Sequence, residues 1–275
     1  MPGRAFSATV VTYRSDPQLL ATALRSLAAA VRVARAAGLV DAMTLHVVDN
    51  GPAQARSALD AALGAWDREA GAIEVHSGHG NVGYGRANNL VLADLASDAH
   101  LIMNPDVELE PGALREALAA LERHPGVGMV APAVHGEDGA TQYLCKRYPS
   151  VWVLFLRGFA PAFLRRRYAR AIERYEMRDV IADRLVRGVA LASGCFMLAR
   201  TPLLREVGGF DPRFFMYFED YDLSLRMGRR AEVAYVPEAR IVHHGGEAAR
   251  KGPRHVAWFV RSAWRFFSIH GWKIA

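Results

Sequence analysis

Residues 1–134 alternate short β-branched runs with longer Ala/Leu-rich stretches, and this alternation constrains the fold more than any other feature. Ser7–Thr12 (SATVVT) reads as a strand, and Pro17–Ala37 as a helix opened by Ser15 or Asp16. The pattern repeats as strand Leu45–Asp49, helix Ala53–Trp66, strand Ile73–His76, helix Arg86–Leu95, strand His100–Met103, helix Pro111–Arg123 and strand Val127–Ala133. Strands joined through helices pair in parallel, because the crossover returns the chain to the same end of the sheet. The expected fold is α/β, with a Rossmann-like, mostly parallel sheet flanked by helices. Such sheets bind ligands outside the carboxyl ends of their strands. That rule singles out Thr12, Tyr13, Asp49, Asn50, the loop after His76, and Asn104–Asp106.

The remainder is less regular. Val151–Tyr175 is aromatic, aliphatic and basic, and reads as one amphipathic helix. Ala192–Ala199 reads as a buried strand followed by a helix from Pro202, and Glu232–Val236 and Arg240–His243 as short strands. The tail from His255 to Trp272 has the pattern of an aromatic-basic helix. No repeat or low-complexity linker interrupts the chain, so residues 1–134 and 135–275 are expected to be halves of one continuous domain.

Two cysteines, Cys145 and Cys195, are too few for a disulfide framework, lack metal-ligand spacing and suit a reducing cytoplasm. The start, MPGRAFSATVVTY, carries no secretory pattern, and arginines interrupt every run long enough to span a bilayer. A cytoplasmic protein is therefore expected. The net charge of +6 points to an anionic partner: nucleic acid, a membrane surface or a phosphorylated substrate. No nucleic-acid-binding motif accompanies the charge, so no nucleic-acid partner is expected.

Several short motifs carry chemistry. Gly78–Gly83 (GHGNVG) matches G-x-G-x-x-G, which alone would suggest an NAD-dependent oxidoreductase. That fingerprint belongs in the first βα turn, however, and here that turn is TYRSDP. A glycine-rich loop approaching a nucleotide fits better. Asp49 ends a strand, where a carboxylate accepts hydrogen bonds from a base or ribose; it would equally serve the following turn. Asn104 and Asp106 in MNPDVEL offer oxygen ligands to a diphosphate-bound divalent cation, or an Asx turn. Of the paired histidines in Ile241–Gly246 (IVHHGG), an extended backbone lets only one face a given site.

The stretch FMYFEDYDLSLR crowds Glu219, Asp220 and Asp222 beside apolar residues. Asp222 is spaced i,i+4 from Arg226 and sits in a first helical turn, which accounts for it structurally. Asp220 could cap that helix, but one cap does not explain two further acids in an apolar setting. A carboxylate in a partly apolar cleft has its pKa raised toward neutrality and makes a general base. Asp220 is assigned to chemistry, and Glu219 stays open.

Taken in order, TVVTY, VVDN, GNVGYGRANN, MNPDVEL, ASGCFMLAR, GGFDPRFFMYFEDYDLSLR and IVHHGG resemble an inverting GT-A glycosyltransferase of family two, over Ala8 to Gly246. Among its members the likeness is to bacterial rhamnosyltransferases of O-antigen and cell-wall polysaccharide assembly. The resemblance implies that the first half binds a nucleotide-sugar and the second an acceptor. Thr12, Tyr13, Asp49, Asn81, Gly83, Arg86 and Asn104 would serve the donor, and Asp106 with His243 would hold Mg²⁺ or Mn²⁺. Asp220 matches the family's catalytic base, with Glu219 and Gly194 beside the acceptor or supporting that base. Asn104 is an amide where the family's D-x-D has its first acid. The implied donor is dTDP-L-rhamnose, with UDP-sugars as the alternative, and the implied acceptor is a saccharide, free or carried on polyprenyl diphosphate. Two readings fit Val151–Tyr175: a face against an anionic membrane, or an element packed on the core. The lipid-carried acceptors of the family favour peripheral membrane contact.

Overall fold

A computed structural model describes residues 4–245 and 252–275. Gly246, the last residue of the paired-histidine motif, lies outside the described residues. The alternating segment folds as β1 (Ala5–Thr12), α1 (Pro17–Ala36), β2 (Ala42–Asp49), α2 (Arg56–Leu63), β3 (Ala72–His76), α3 (Tyr84–Leu92) and β4 (Ala99–Met103). Asp16 caps α1, accepting from the N–H groups of Gln18 and Leu19 at 2.8 and 3.2 Å. Leu20, Leu24, Leu27 and Val31 form the buried face of that helix. Phe6 to Thr12 are all buried, as expected of a strand covered on both faces.

The second half supplies more of the sheet than the sequence pattern suggests. Among the described residues nine strands form one sheet, ordered β3-β2-β1-β4-β8-β6-β9-β5, with β7 (Val186–Arg187) beside β9. Pairing is parallel from β3 to β4. There β8 (Phe196–Arg200) inserts antiparallel between β4 and β6 (Val127–His135). The expected pair of short strands is a single strand, β9 (Glu232–His243), with a register shift against β6 opposite Pro237–Ala239. A three-residue strand absent from the sequence reading, β5 (Val107–Leu109), pairs antiparallel with the end of β9. Helix α4 (Ala113–Arg123) covers this part of the sheet.

Val151–Tyr175 is not one helix. It divides into α5 (Val151–Gly158), α6 (Ala162–Arg167) and α7 (Ala169–Tyr175): Pro161, which has no N–H to donate, separates α5 from α6, and the non-helical backbone of Tyr168 separates α6 from α7. Helices α8 (Thr201–Glu206) and α9 (Glu219–Gly228) follow, and α10 (Pro253–His270) closes the chain. The buried Phe266 and Phe267 of α10 pack with Phe214, Phe218 and Leu154, so the tail helix is bound to the acidic segment and to α5. No helix among the described residues is long and apolar enough to cross a membrane.

Candidate active site

Three strand ends converge on one end of the sheet. The parallel register sets Thr12 beside Asp49, and the Thr12 hydroxyl donates to Asp49 Oδ1 at 3.3 Å. The Gly51 N–H donates to the same oxygen at 2.8 Å, so Asp49 does shape the following turn, through one of its two oxygens. Asn50 ties β2 to the glycine-rich loop: its amide donates to the Gly83 carbonyl at 3.2 Å, and His79 Nε2 lies 2.9 Å from its Oδ1. Asn81 Oδ1 accepts the Gly83 N–H at 3.1 Å. Tyr13 stands half exposed at the rim.

Gly83 has φ of 91°, and a Cβ there would lie 2.4 Å from the Phe215 carbonyl oxygen. That carbonyl accepts the Tyr84 N–H at 3.2 Å. This glycine therefore admits the backbone of the acidic segment, a role distinct from that in a dinucleotide fingerprint, and its loop follows the edge strand β3. Arg86 donates to the Pro212 carbonyl at 2.5 Å, which commits it to the same segment.

The turn after β4 carries Asp106. Pairing of β5 with β9 sets Val107 against His243 and brings His243 Nε2 to 3.6 Å from Asp106 Oδ1. His244 turns elsewhere, with its ring nitrogens 2.7 Å from Glu137 and 3.3 Å from Glu108. Gln142, which no sequence motif marked, fixes the His243 tautomer. Its amide donates to the His243 carbonyl at 3.1 Å, so the Oε1 that lies 3.1 Å from His243 Nδ1 must accept. Nδ1 then carries a proton, so in the neutral ring it is Nε2, on the Asp106 side, that has the lone pair. Asp106 Oδ1 is buried without a hydrogen-bond partner among the described residues. A carboxylate oxygen facing an imidazole lone pair fits a shared divalent cation. A Cβ on Gly245 would lie 2.1 Å from Asp106 Oδ2, so any larger residue there would displace the Asp106 carboxylate.

The acids sit across the Gly194–Cys195 backbone from this pair. The Asn104 N–H donates to the Cys195 carbonyl at 3.0 Å, and the Gly194 N–H donates to Asp220 Oδ2 at 2.9 Å. The Tyr84 hydroxyl holds the Gly194 carbonyl at 2.7 Å. Immediately before α9, Tyr217 and Phe218 adopt left-handed backbone, with φ of 69° and 65°. For aromatic residues this costs about 1–3 kcal/mol each. Burial of Phe218 against Phe259 and Phe266, at ring distances of 5.1 and 5.2 Å, offsets it. The helix begins at Glu219, two residues earlier than a cap at Asp220 would require, and Asp220 Oδ1 instead accepts the adjacent Tyr221 N–H at 2.9 Å.

Burial pushes the Asp220 carboxyl up to about 6, while its two backbone N–H partners hold it below that of its neighbour. Burial, with the Asp220 charge, pushes Glu219 up to about 8, and Glu219 Oε2 lacks a hydrogen-bond partner among the described residues. The pair therefore loses its first proton mainly from Asp220, leaving Glu219 protonated near neutral pH. Asp222 faces away. Buried on the other side of α9, it bonds Arg226 and His270 of α10, each at 2.8 Å. It anchors the tail helix, a larger role than the surface ion pair expected from spacing.

A hydroxyl brought to Asp220 would meet a base poised near neutrality, beside a pair suited to a cation. Against this geometry, residues 2–266 match the family model described as "Glycosyltransferase like family 2". An N-acetylglucosaminyl-diphospho-decaprenol L-rhamnosyltransferase of Mycobacterium tuberculosis is 32% identical over 207 residues, covering 70% of this chain and 66% of that protein. The chain thus spans just under two thirds of that relative. Rhamnosyltransferase WbbL of Escherichia coli is 33% identical over a shorter stretch, 28% of this chain and 30% of its own. Among solved structures, GalNAc-T7 with UDP, GalNAc and Mn²⁺ superposes with a TM-score of 0.66 at 12% identity, over 98% of this chain and 48% of that one. The mannosyltransferase PcManGT of Pyrobaculum calidifontis, in complex with GDP-Man and Mn²⁺, gives 0.58 at 15% identity, over 96% and 64%. These likenesses establish the GT-A fold.

Proposed function

The chain belongs to the family 2-like glycosyltransferases, and from that premise we propose that it transfers L-rhamnose from dTDP-L-rhamnose, with inversion, onto a lipid-linked saccharide. The observation that carries the reaction class is the part-buried Asp220 carboxylate, raised to about 6 and held by Gly194 and Tyr221. Asp220 takes the proton of the acceptor hydroxyl as its oxygen bonds to the anomeric carbon. The bond from that carbon to the diphosphate breaks on the opposite face, and the nucleoside diphosphate departs. One base suffices for a single in-line displacement, so no enzyme nucleophile is needed. Asp106 and His243 would hold Mg²⁺ or Mn²⁺, which neutralises charge growing on the leaving diphosphate. Thr12 and Asp49 would receive the base and ribose, with the loop around Asn81 and Gly83 closing beside them. Asn104 would stand next to the diphosphate, Tyr13 at the rim, and Arg86 would act by fixing the Pro212 segment.

The rhamnose assignment draws on the named activity of the mycobacterial relative, as does the lipid-linked acceptor. Peripheral contact with an anionic membrane fits the surface formed by α5, α6 and α10. Phe155, Phe159, Phe163 and Trp264 are exposed there, near the contiguous Arg165, Arg166 and Arg167. Residues 1–134 would then serve the donor and 135–275 the acceptor, within one sheet. Thermal shifts with dTDP, dTDP-rhamnose, UDP-hexoses and NADH, each with and without Mn²⁺, test the donor. Mn²⁺-dependent stabilisation by dTDP and dTDP-rhamnose is expected. Stabilisation by UDP-hexoses alone would replace the donor, and a response to NADH alone would overturn the reaction class.

A further inference from the structure

A cavity opens beside the Asp106–His243 pair, lined by Gln142, Lys146, Arg157, Glu176, Arg178 and Gly245. Three cations there surround one carboxylate. Arg157 Nε donates to Glu176 Oε1 at 2.9 Å, Arg178 Nε to Oε2 at 2.8 Å, and Lys146 Nζ stands 3.5 Å from Oε1. Among the described residues, one carboxylate faces three basic side chains there and cannot neutralise them all. Burial drives Glu176 up, but Lys146, Arg178 and Arg157 outweigh it and hold its carboxyl low. Lys146 bears the opposite cost: burial, with Arg157 adding to it, brings its ammonium down to about 7. An anion in the cavity would relieve that cost. The arginine side chains are 37% and 45% exposed, so both guanidinium groups reach solvent while Glu176 fixes their direction.

We propose that this cavity receives the diphosphate of a lipid-linked acceptor, an inference that rests on the glycosyl-transfer reading above. Its surroundings follow the order of groups in such a molecule. Gly245 abuts Asp106, and Gln142 holds His243, so one wall belongs to the cation-suited pair. Arg157 lies 5.6 Å from the Tyr175 ring, whose hydroxyl is 3.1 Å from that of Tyr221, next to Asp220. Tyr175 and Tyr221 thus link the Arg157 wall of the cavity to the helix that carries the base. Arg157 itself belongs to α5, whose outer surface exposes Phe155 and is followed by exposed Phe159. Hydroxyl-accepting acid, cationic cavity and apolar face succeed one another, as do sugar hydroxyl, diphosphate and hydrocarbon. A donor diphosphate has the same chemistry, but the exposed apolar residues Phe155 and Phe159 beside Arg157 have no counterpart in a nucleotide-sugar. The α5 side commits the cavity to the acceptor.

The test is direct titration of the full chain, without turnover, using farnesyl diphosphate, farnesyl monophosphate and inorganic pyrophosphate as probes. Wild-type protein should prefer farnesyl diphosphate. Arg157→Gln combined with Arg178→Gln should weaken it about 10- to 100-fold, the loss of charge-assisted hydrogen bonds, while dTDP affinity with Mn²⁺ holds. Arg178→Gln alone leaves Glu176 two cationic partners and should show part of the loss if the double variant is poorly folded. Undiminished farnesyl diphosphate binding would make the arginines structural and overturn the proposal. A parallel loss of dTDP affinity would assign them to the donor. Inorganic pyrophosphate binding as tightly as farnesyl diphosphate would remove the lipid. Failure of nucleotide-sugar turnover would instead overturn the transferase reading, which these titrations do not use.

Discussion

Replacing Asp220 by Asn removes the proposed base at nearly constant volume, and the structure sets what else changes. Asp220 offers two acceptor oxygens, one to Gly194 and one to Tyr221. Asn offers one, so a buried N–H is left without a partner, at about 1–3 kcal/mol. Against this, a carboxyl raised by burial to about 6 makes the ionised folded state unfavourable by an amount of order 3 kcal/mol above that pH. The two effects oppose each other, so stability at pH 8 should move little. Turnover should not be so spared. Loss of a general base costs about 10²–10⁴ in kcat, with donor affinity unchanged.

The assay is nucleotide release against pH beside calorimetric donor binding. In wild type, kcat/KM should rise through about pH 6 as Asp220 ionises, then change again near 8 as Glu219 loses its proton. Glu219→Gln should keep the limb near 6 and lose the feature near 8. For stability the sign follows from both folded values lying above the unfolded ones. The contribution is full below the unfolded carboxylate range and is lost as pH rises through the folded values. Glu219→Gln should therefore gain on wild type in urea melts at pH 9 relative to pH 5. An Asp220→Asn enzyme within tenfold of wild-type turnover, or one that keeps the limb near 6, refutes the assignment.

Gln142→Leu should weaken Mn²⁺ binding, titrated in the presence of dTDP, by about 10- to 100-fold with the circular dichroism spectrum intact; unchanged affinity would remove Gln142 from the site. Asp222→Ala removes the carboxylate shared by His270 and by Arg226, which keeps the Val207 and Gly209 carbonyls, and should cost about 1.5–3 kcal/mol in urea denaturation, with a loss under 1 kcal/mol counting against a buried anchor. Replacing Arg165, Arg166 and Arg167 together with Gln should release the protein from anionic liposomes at low salt, since such residues contribute about 1 kcal/mol each near the surface. Wild-type protein that never sediments with those liposomes would refute membrane contact.

The parallel half was legible because each strand and helix there has its own period, and the crossover rule does the rest. What the local pattern lacks is sheet order. Nothing near Phe196–Arg200 says that this strand enters between β4 and β6 and runs against both. Val107–Leu109 is too short to show a period, yet it brings His243 to Asp106. In the basic segment the amphipathic pattern continues across Pro161, so composition alone suggests one helix where the proline ends it. In the site, the carboxylates and histidine stood out because few residue types do their chemistry. Gln142 and Tyr84 did not, since an amide 101 positions from His243 and a tyrosine inside a glycine-rich loop gain their roles only from the folded neighbourhood.

The crowding of acids into an aromatic stretch follows from the same physics that makes one of them useful. Exposed, Asp220 and Glu219 would ionise well below neutrality and be poor bases at pH 7. Burying them beside Phe214 and Phe218 raises both, and two left-handed residues direct them inward. The separation of their roles comes from hydrogen bonding together with the Asp220 charge, which raises Glu219 further. Two backbone donors favour the charged form of Asp220, whereas Glu219 Oε2 has no side-chain or backbone donor among the described residues. A further N–H supplied to Glu219 Oε2 would narrow that difference, by favouring the charged form as the Gly194 N–H does at Asp220.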